Sequence, residues 1–492
     1  MQRRALLGAA AAAPLLSFLP SSAAADGAGA GVGASKSGGL PPLLDEADVV
    51  VVGSGFAGLS AAIEARKAGA SVLVIEKMPG LGGNSALCAG DMAVPGSPVQ
   101  KALGITGDSP ARMEADLMAT GPGRSREHAR AVAEGALATW RWTGQELGVA
   151  WRTDRIQADW GQSVPRGITL ESRSGFSIVK AEVDALERLK ARIRTGCRME
   201  RLAFSGPRGR AVGVIVRVAE KGGWSGERFV RARRGVVLAY GGFSADVAFR
   251  TKLNPLLGRN VATSNQPGAT SEAWRAMIAA GADVMDLESL QVMCWNSGDE
   301  RGLGQAWTFI EYATVPAGQW FDAVTGEALL GADRSPRART ALVLARAKAG
   351  HEVIAAVTVG GAKKSHMDER LLGDLLAQGI IAKRSPEGFA RRIHSEAGAV
   401  RRALSVSGAE NGAAGEILSV TVVPKVHHSQ GGLRIDGLAR AQWKGGGVMK
   451  GVYAAGEATG GLFGERGRIP SHSVTDALVM GRIAGRSAAR MR

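Results

Sequence analysis

The chain has 492 residues, 45% of them hydrophobic and 22% charged, which allows two or three domains and excludes both a disordered chain and a bundle of membrane spans. Its net charge of +16 admits nucleic acid, an anionic membrane or an anionic small molecule as partner. Nucleic acid is the poorest fit, because the basic residues are scattered, mostly arginine, with few aromatics among them and no zinc-finger spacing. The three cysteines, Cys88, Cys197 and Cys294, lie too far apart for a C-x-x-C metal site, an iron–sulfur run or a haem attachment, so redox chemistry requires a bound organic cofactor.

In chain order, Arg3 and Arg4 precede an apolar run from Ala5 to about Leu19, and Ala23-Ala24-Ala25 offers a small-residue cleavage site. Residues 1–25 therefore read as an export signal, similar to the twin-arginine type although Gln2 stands where Ser or Thr is usual. Residues 26–45, rich in Gly, Ala, Ser and Pro, read as a flexible linker. Val49 to Val52 is a continuous β-branched run, as expected of a parallel strand buried on both faces. Phe56 to Ala68 reads as a helix and Ser71 to Ile75 as the next strand, which makes one βαβ unit. Further strands are expected at Gly235 to Ala239 and Gly451 to Ala455, and a final helix from Ser473 to about Met491. Between 251 and 411 the strand signals thin out and Ala/Arg-rich helical segments dominate, which reads as an inserted second domain. No later run approaches the ~20 apolar residues of a membrane span, so the mature protein is not expected to cross a membrane.

Gly53-Ser54-Gly55-Phe56-Ala57-Gly58 is a G-x-G-x-x-G motif. With glycine at 69 of 492 positions, about one such match arises by chance, so the context carries the reading. The motif follows a strand and opens a helix, and Glu76 closes the second strand 18 residues after Gly58. Glycines permit a tight turn and the close approach of a pyrophosphate to N–H groups at a helix N-terminus, while a strand-end carboxylate accepts from a ribose hydroxyl.

Two more Gly-rich stretches follow Glu76: Pro79-Gly80-Leu81-Gly82-Gly83-Asn84-Ser85 and Ala89-Gly90-Asp91-Met92. Beyond them come VVLAYGGF at 236–243, TSNQPGAT at 263–270, VHHSQGGL at 426–433, GVYAAGEATGG at 451–461 and RIAG at 482–485. In these ordered motifs the sequence resembles the flavoprotein-subunit superfamily of soluble fumarate reductases, flavocytochrome c and urocanate reductase, over nearly everything from residue 46 onward. The resemblance implies noncovalent FAD and an α/β fold: a Rossmann-like FAD-binding domain split in sequence into 46–250 and 412–492, with an inserted α+β capping domain at 251–411. The FAD contacts it implies are Gly53, Gly55, Phe56, Ala57, Gly58, Glu76, Lys77, Gly82, Gly83, Asn84, Ser85, Gly90, Asp91, Gly241, Gly242, Glu457, Ser473 and Val474. No metal site is implied.

The family's catalytic positions carry over unevenly. His428, in His428-Ser429-Gln430-Gly431-Gly432, matches the histidine that holds a substrate carboxylate, and Arg468, with Arg466 as competitor, matches the arginine that clamps it. A bidentate guanidinium suits a planar carboxylate. Arg334 is the match for the family's proton-donating arginine if two residues are deleted, with Arg337 and Arg339 as competitors. The relay glutamate of that region is absent, and Leu290-Gln291-Val292-Met293-Cys294-Trp295 replaces the stretch whose histidine holds a second carboxylate. Met293, Cys294 and Trp295 are thus expected to form an apolar end, with Arg301 or His472 as substitute cations. The resemblance implies an enzyme that reduces the C=C bond of an α,β-unsaturated carboxylate; the N-terminal signal adds export to the periplasm or another extracytoplasmic space, and the missing second clamp favours an acid of acrylate or cinnamate type over fumarate. With no haem motif, electrons would come from a separate donor, a cytochrome. A flavin dehydrogenase running in reverse and a non-catalytic electron carrier are the alternatives.

Overall fold

The valine run ends a longer strand, Leu43–Val52, which begins inside the stretch expected as linker because Leu43 already pairs with Phe229 of a parallel neighbour. The computed structural model describes residues 39–365, 367–405, 415–464 and 466–491. The expected export signal and residues 26–38 lie outside the described residues.

Among the described residues the larger sheet has nine strands. Its parallel spine runs Val448–Ala454, Arg228–Leu238, Leu43–Val52, Val72–Ile75 and Arg192–Arg194 in spatial order, with Arg440–Gln442 antiparallel at one edge. Val49 to Val52 pair with Val72 to Ile75 residue for residue, so both strands end at the same level. The spine is assembled from strands far apart in sequence. The helix Phe56–Lys67 covers one face and is crossed closely by the last helix, His472–Arg490. Glycine makes this crossing possible: a Cβ on Gly481 would lie 2.4 Å from the Ala57 carbonyl oxygen, and one on Gly485 would lie 2.1 Å from that of Ala61.

The second sheet is built around Ile417–Ser429, flanked by Leu290–Ser297, Val353–Thr358, Ala382–Arg384 and Ala262–Thr263, with Gln319–Asp322 beyond Val353–Thr358. Val353, Ala355 and Val357 face a core with Trp320 and Leu418, while Ile354 and Ala356 face another with Phe321 and Phe389. The sheet is therefore apolar on both sides. Among the described residues of 251–411 helices predominate, as expected, and the strands between them are only two to eight residues long. One expectation is corrected. Residues 417–429, expected in the returning half of the FAD-binding domain, are the centre of the second sheet. Both sheets belong to one compact unit, Leu40–Arg492. No helix among the described residues is long and apolar enough to cross a membrane.

Candidate active site

A cavity of about 630 Å³ lies at the C-terminal ends of the parallel strands, where open α/β sheets bind their ligands. The Gly53 turn forms its floor. Gly53 has φ +104°, and a Cβ there would meet the Ala239 carbonyl oxygen at 2.2 Å, so only glycine fits. The helix Phe56–Lys67 starts at Gly55 with neither a side-chain cap nor an acidic residue in its first turn. Gly55, Phe56 and Ala57 line the cavity; the Phe56 N–H donates to Ser85 Oγ at 3.0 Å, and the neighbouring N–H groups of the helix start suit an anion. The last helix repeats this: it starts at Ser471 with no side-chain cap, and Ser473 and Val474 line the same cavity.

Glu76 is fixed at the end of its strand. Its Oε2 accepts from Ser54 N at 3.1 Å and Ser54 Oγ at 2.7 Å, and its Oε1 from Met78 N at 2.9 Å. A carboxylate has about four acceptor sites, so capacity remains for a ribose hydroxyl. At Gly83 and Gly241, both cavity-lining and both with positive φ, a Cβ would meet nothing within 4 Å, so the cradle is open beside the backbone. Two helix starts without an acidic first turn, a strand-end carboxylate and open glycine walls fit the diphosphate and ribose of FAD. Lys77, Gly82, Asn84, Ser85, Gly90, Asp91, Gly242 and Glu457 also line the cavity. Gly58 does not: a Cβ on it would lie 2.0 Å from the Gly53 oxygen, so its role is packing of the helix on the turn.

At the other end, Arg468 is buried among polar partners. Its Nε donates to Gln291 Oε1 at 2.8 Å and its Nη1 to Ser473 Oγ at 2.8 Å, and its Nη2 has no hydrogen bond among the described residues. Burial works against its charge, and Asp159 and Glu457 support it. His428 lines the cavity, and burial together with Arg468 pushes its pKa far below the usual imidazole value, so it is neutral. Its Nδ1 is buried without a hydrogen bond, which leaves Nε2 as the nitrogen able to meet a ligand. His427 beside it is tied by Nδ1 to Ser264 Oγ at 2.7 Å and is pushed down to about 3 by burial.

The strand Leu290–Ser297 alternates: Gln291, Met293 and Trp295 line the cavity, while Cys294 points into the core of the second sheet. Cys294 is therefore not part of the apolar end as expected. Arg334 is not among the lining residues. Its Nη1 donates to the Val315 and Gly318 carbonyl oxygens. Arg339 is buried in a two-pronged ion pair with Glu311 (2.6 and 3.1 Å) and stacks over Trp295 at 5.2 Å. Arg466 is exposed and outside the cavity, whereas Arg468 lines it. Neither Arg301 nor His472 is a lining residue. Sequence reasoning missed Asp159, Trp160, Trp307, Glu311 and Tyr312 as lining residues. The last two sit on a π-helical turn, Ile310–Thr314, a feature frequent at functional sites and without a sequence signature.

Comparison with known proteins agrees with this cradle. The family described as FAD binding domain matches residues 48–474. The acrylate reductase flavoprotein subunit of Shewanella woodyi is 31% identical over 467 residues, 90% of this chain and 91% of that protein. The cytochrome-type fumarate reductase of Shewanella frigidimarina is 28% identical over 479 residues, 91% of this chain and 77% of that protein. The fold is similar to a solved flavocytochrome c3 fumarate reductase in its open conformation, with a TM-score of 0.78 at 24% identity over 91% of this chain and 79% of that one. The chain belongs to the FAD binding domain family, as an FAD-dependent oxidoreductase of the fumarate and acrylate reductase type.

Proposed function

We propose that the chain reduces the C=C bond of an α,β-unsaturated monocarboxylate. The observation that carries this reading is that Arg468 and neutral His428 line the same cavity as the FAD cradle. When bound and reduced, FAD supplies hydride from its N5. Arg468 Nη2 and His428 Nε2–H take the substrate carboxylate and draw electron density from the conjugated double bond. Gln291 and Ser473 hold the guanidinium in position for this.

A proton must reach the other alkene carbon. Tyr312 lines the cavity, and burial with the nearby carboxylates Glu311, Asp159 and Asp91 raises its pKa, so its Oη holds the proton at neutral pH and replaces Arg334 as the donor. At this end of the cavity, among the described residues, Met293 and Trp295 are apolar, Glu311 holds Arg339 in an ion pair, and Asp91 and Asp159 disfavour a second substrate carboxylate. Monocarboxylic enoates are therefore favoured over fumarate. Residues 1–25 direct twin-arginine export of the folded flavoprotein to the periplasm, where a separate donor, a cytochrome, docks on the basic surface.

Anaerobic turnover with reduced viologen and a panel of substituted acrylates and fumarate tests the activity. Oxidation of viologen by several acrylates and weaker activity with fumarate is expected; no turnover with any enoate by flavin-loaded protein overturns the reading. Retention in the cytoplasm of the double variant Arg3→Lys, Arg4→Lys tests the export route separately.

A further inference from the structure

Asp91 makes no side-chain hydrogen bond among the described residues, and its Oδ1 is buried. Its other oxygen is not enclosed, and a carboxyl with no partner from the protein takes one from the cavity it lines. The neighbouring Asp159 is satisfied instead: Oδ1 accepts from Gln157 at 2.6 Å, and Oδ2 from Ser471 at 2.8 Å and Gln162 at 3.1 Å. Burial first, and the Asp159 charge second, raise the Asp91 carboxyl to about 7. Arg155 and Arg173, the cations that oppose this shift, do not line the cavity. Two adjacent carboxyls, one of them unpaired, accept a cation in place of a proton.

The walls agree with this. Trp160 and Tyr312 line the cavity, yet they remain 43% and 40% exposed, and Trp307 packs beside Tyr312 with ring centroids 5.9 Å apart. Open aromatic faces next to carboxylates attract an ammonium-type group both through the ring and through the ion pair. We propose that this end of the cavity binds a cationic nitrogen on the tail of the unsaturated acid, and that Asp91 is the residue that selects it. The inference rests on the reading above, in which Arg468 and His428 hold the acid end. It reassigns Asp91 from the cofactor to the substrate.

Three trans four-carbon acids that differ only at the far end test it: 4-aminocrotonate, crotonate and fumarate. Their Kd values for the oxidised, flavin-loaded protein are read from perturbation of the flavin absorbance, without turnover. 4-Aminocrotonate is expected to bind at least tenfold more tightly than crotonate, and fumarate more weakly than both. Asp91→Asn should bring 4-aminocrotonate to within about threefold of crotonate while flavin content is unchanged. Equal affinities in the unmodified protein, or a preference for fumarate, overturn the proposal. So does an Asp91→Asn protein that loses flavin but keeps the order of ligands, because Asp91 would then serve the cofactor. Arg468→Ala separates the two readings. If it weakens all three acids and the unmodified protein ranks none of them, the carboxylate clamp stands and the cation site falls; if it weakens none, both fall.

Discussion

At the nucleotide end of the cavity, the lining residues cluster around a few glycine turns and two helix starts; at the substrate end, Asp91, Asp159, Gln291, Tyr312 and Arg468 arrive from five separate stretches of chain. The first end is a backbone device. Its geometry follows from positive φ angles and from backbone approaches that exclude a side chain. The second is a side-chain device, in which single residues on otherwise ordinary strands and turns set charge and shape. A backbone device tolerates little change and serves one ligand, whereas a side-chain device allows one fold to serve many acids.

The largest effect should come from breaking the backbone device. In Gly58→Val the new Cβ would fall 2.0 Å from the Gly53 oxygen, a distance only a rebuilt turn can relieve. Loss of flavin from whatever protein remains soluble, read as the absent visible absorbance, is the expected result. Normal flavin content would show that the turn is softer than its geometry implies.

Next is the substrate end. Tyr312→Phe removes the Oη proton while keeping the ring, and a general acid is typically worth about 10²–10⁴ in rate, so kcat should fall by about that much with KM for the acid nearly unchanged. Arg334→Ala is the matched comparison. Its guanidinium ties the Val315 and Gly318 carbonyls and does not line the cavity, so kcat should change less than about threefold. A hundredfold loss in Arg334→Ala with Tyr312→Phe unaffected would restore the arginine as donor.

These two residues also show where reading the sequence stops. Gly53, Glu76, Gly83 and Gly241 were legible because a nucleotide cradle requires particular backbone conformations at fixed spacing, and only glycine or a strand-end acid meets them. His428 and Arg468 were singled out through neighbouring motifs, and both line the cavity. Tyr312 was not, because the π-helical turn that aims it is a local backbone event without a residue pattern. Cys294 was misplaced because its strand was not recognised, and without the strand the alternation that turns it from the cavity is invisible. Asp91 looked like part of a Gly-rich cofactor loop, and its unpaired oxygen beside Asp159 has no sequence signature.

Glu76→Ala should have a smaller effect than either, confined to the nucleotide end. The carboxylate holds Ser54 and Met78 N–H groups and offers its remaining acceptor sites to the ribose, so FAD affinity should drop roughly tenfold to a hundredfold, measured by flavin titration of the apoprotein. The kcat of the loaded fraction should be unchanged. A fall in kcat per bound flavin would mean that the two ends are mechanically coupled.

The smallest effect tests the scaffold beneath the nucleotide end, where one residue is not optimised for stability. Glu182, on the helix Phe176–Arg188, is fully buried and receives only the Ser60 hydroxyl at 2.5 Å on Oε1, while Oε2 has no partner. Burial raises its pKa well above the usual carboxyl value. The folded protein therefore keeps this proton to a higher pH than the unfolded chain, which releases it near 4.3. From that pH upward to the folded pKa the native state binds more protons than the unfolded one, so stability falls as pH rises. Glu182→Gln keeps the hydrogen bond and has no proton to lose. Its Tm should match that of the unmodified protein near pH 4 and exceed it by a few degrees at pH 8, in line with about 1–3 kcal/mol for a buried polar group left unsatisfied. Because Glu182 is outside the cavity, flavin affinity and the order of substrates should be the same in both proteins. A Tm difference that does not change between pH 4 and pH 8 would mean that Glu182 is already ionised in the native core.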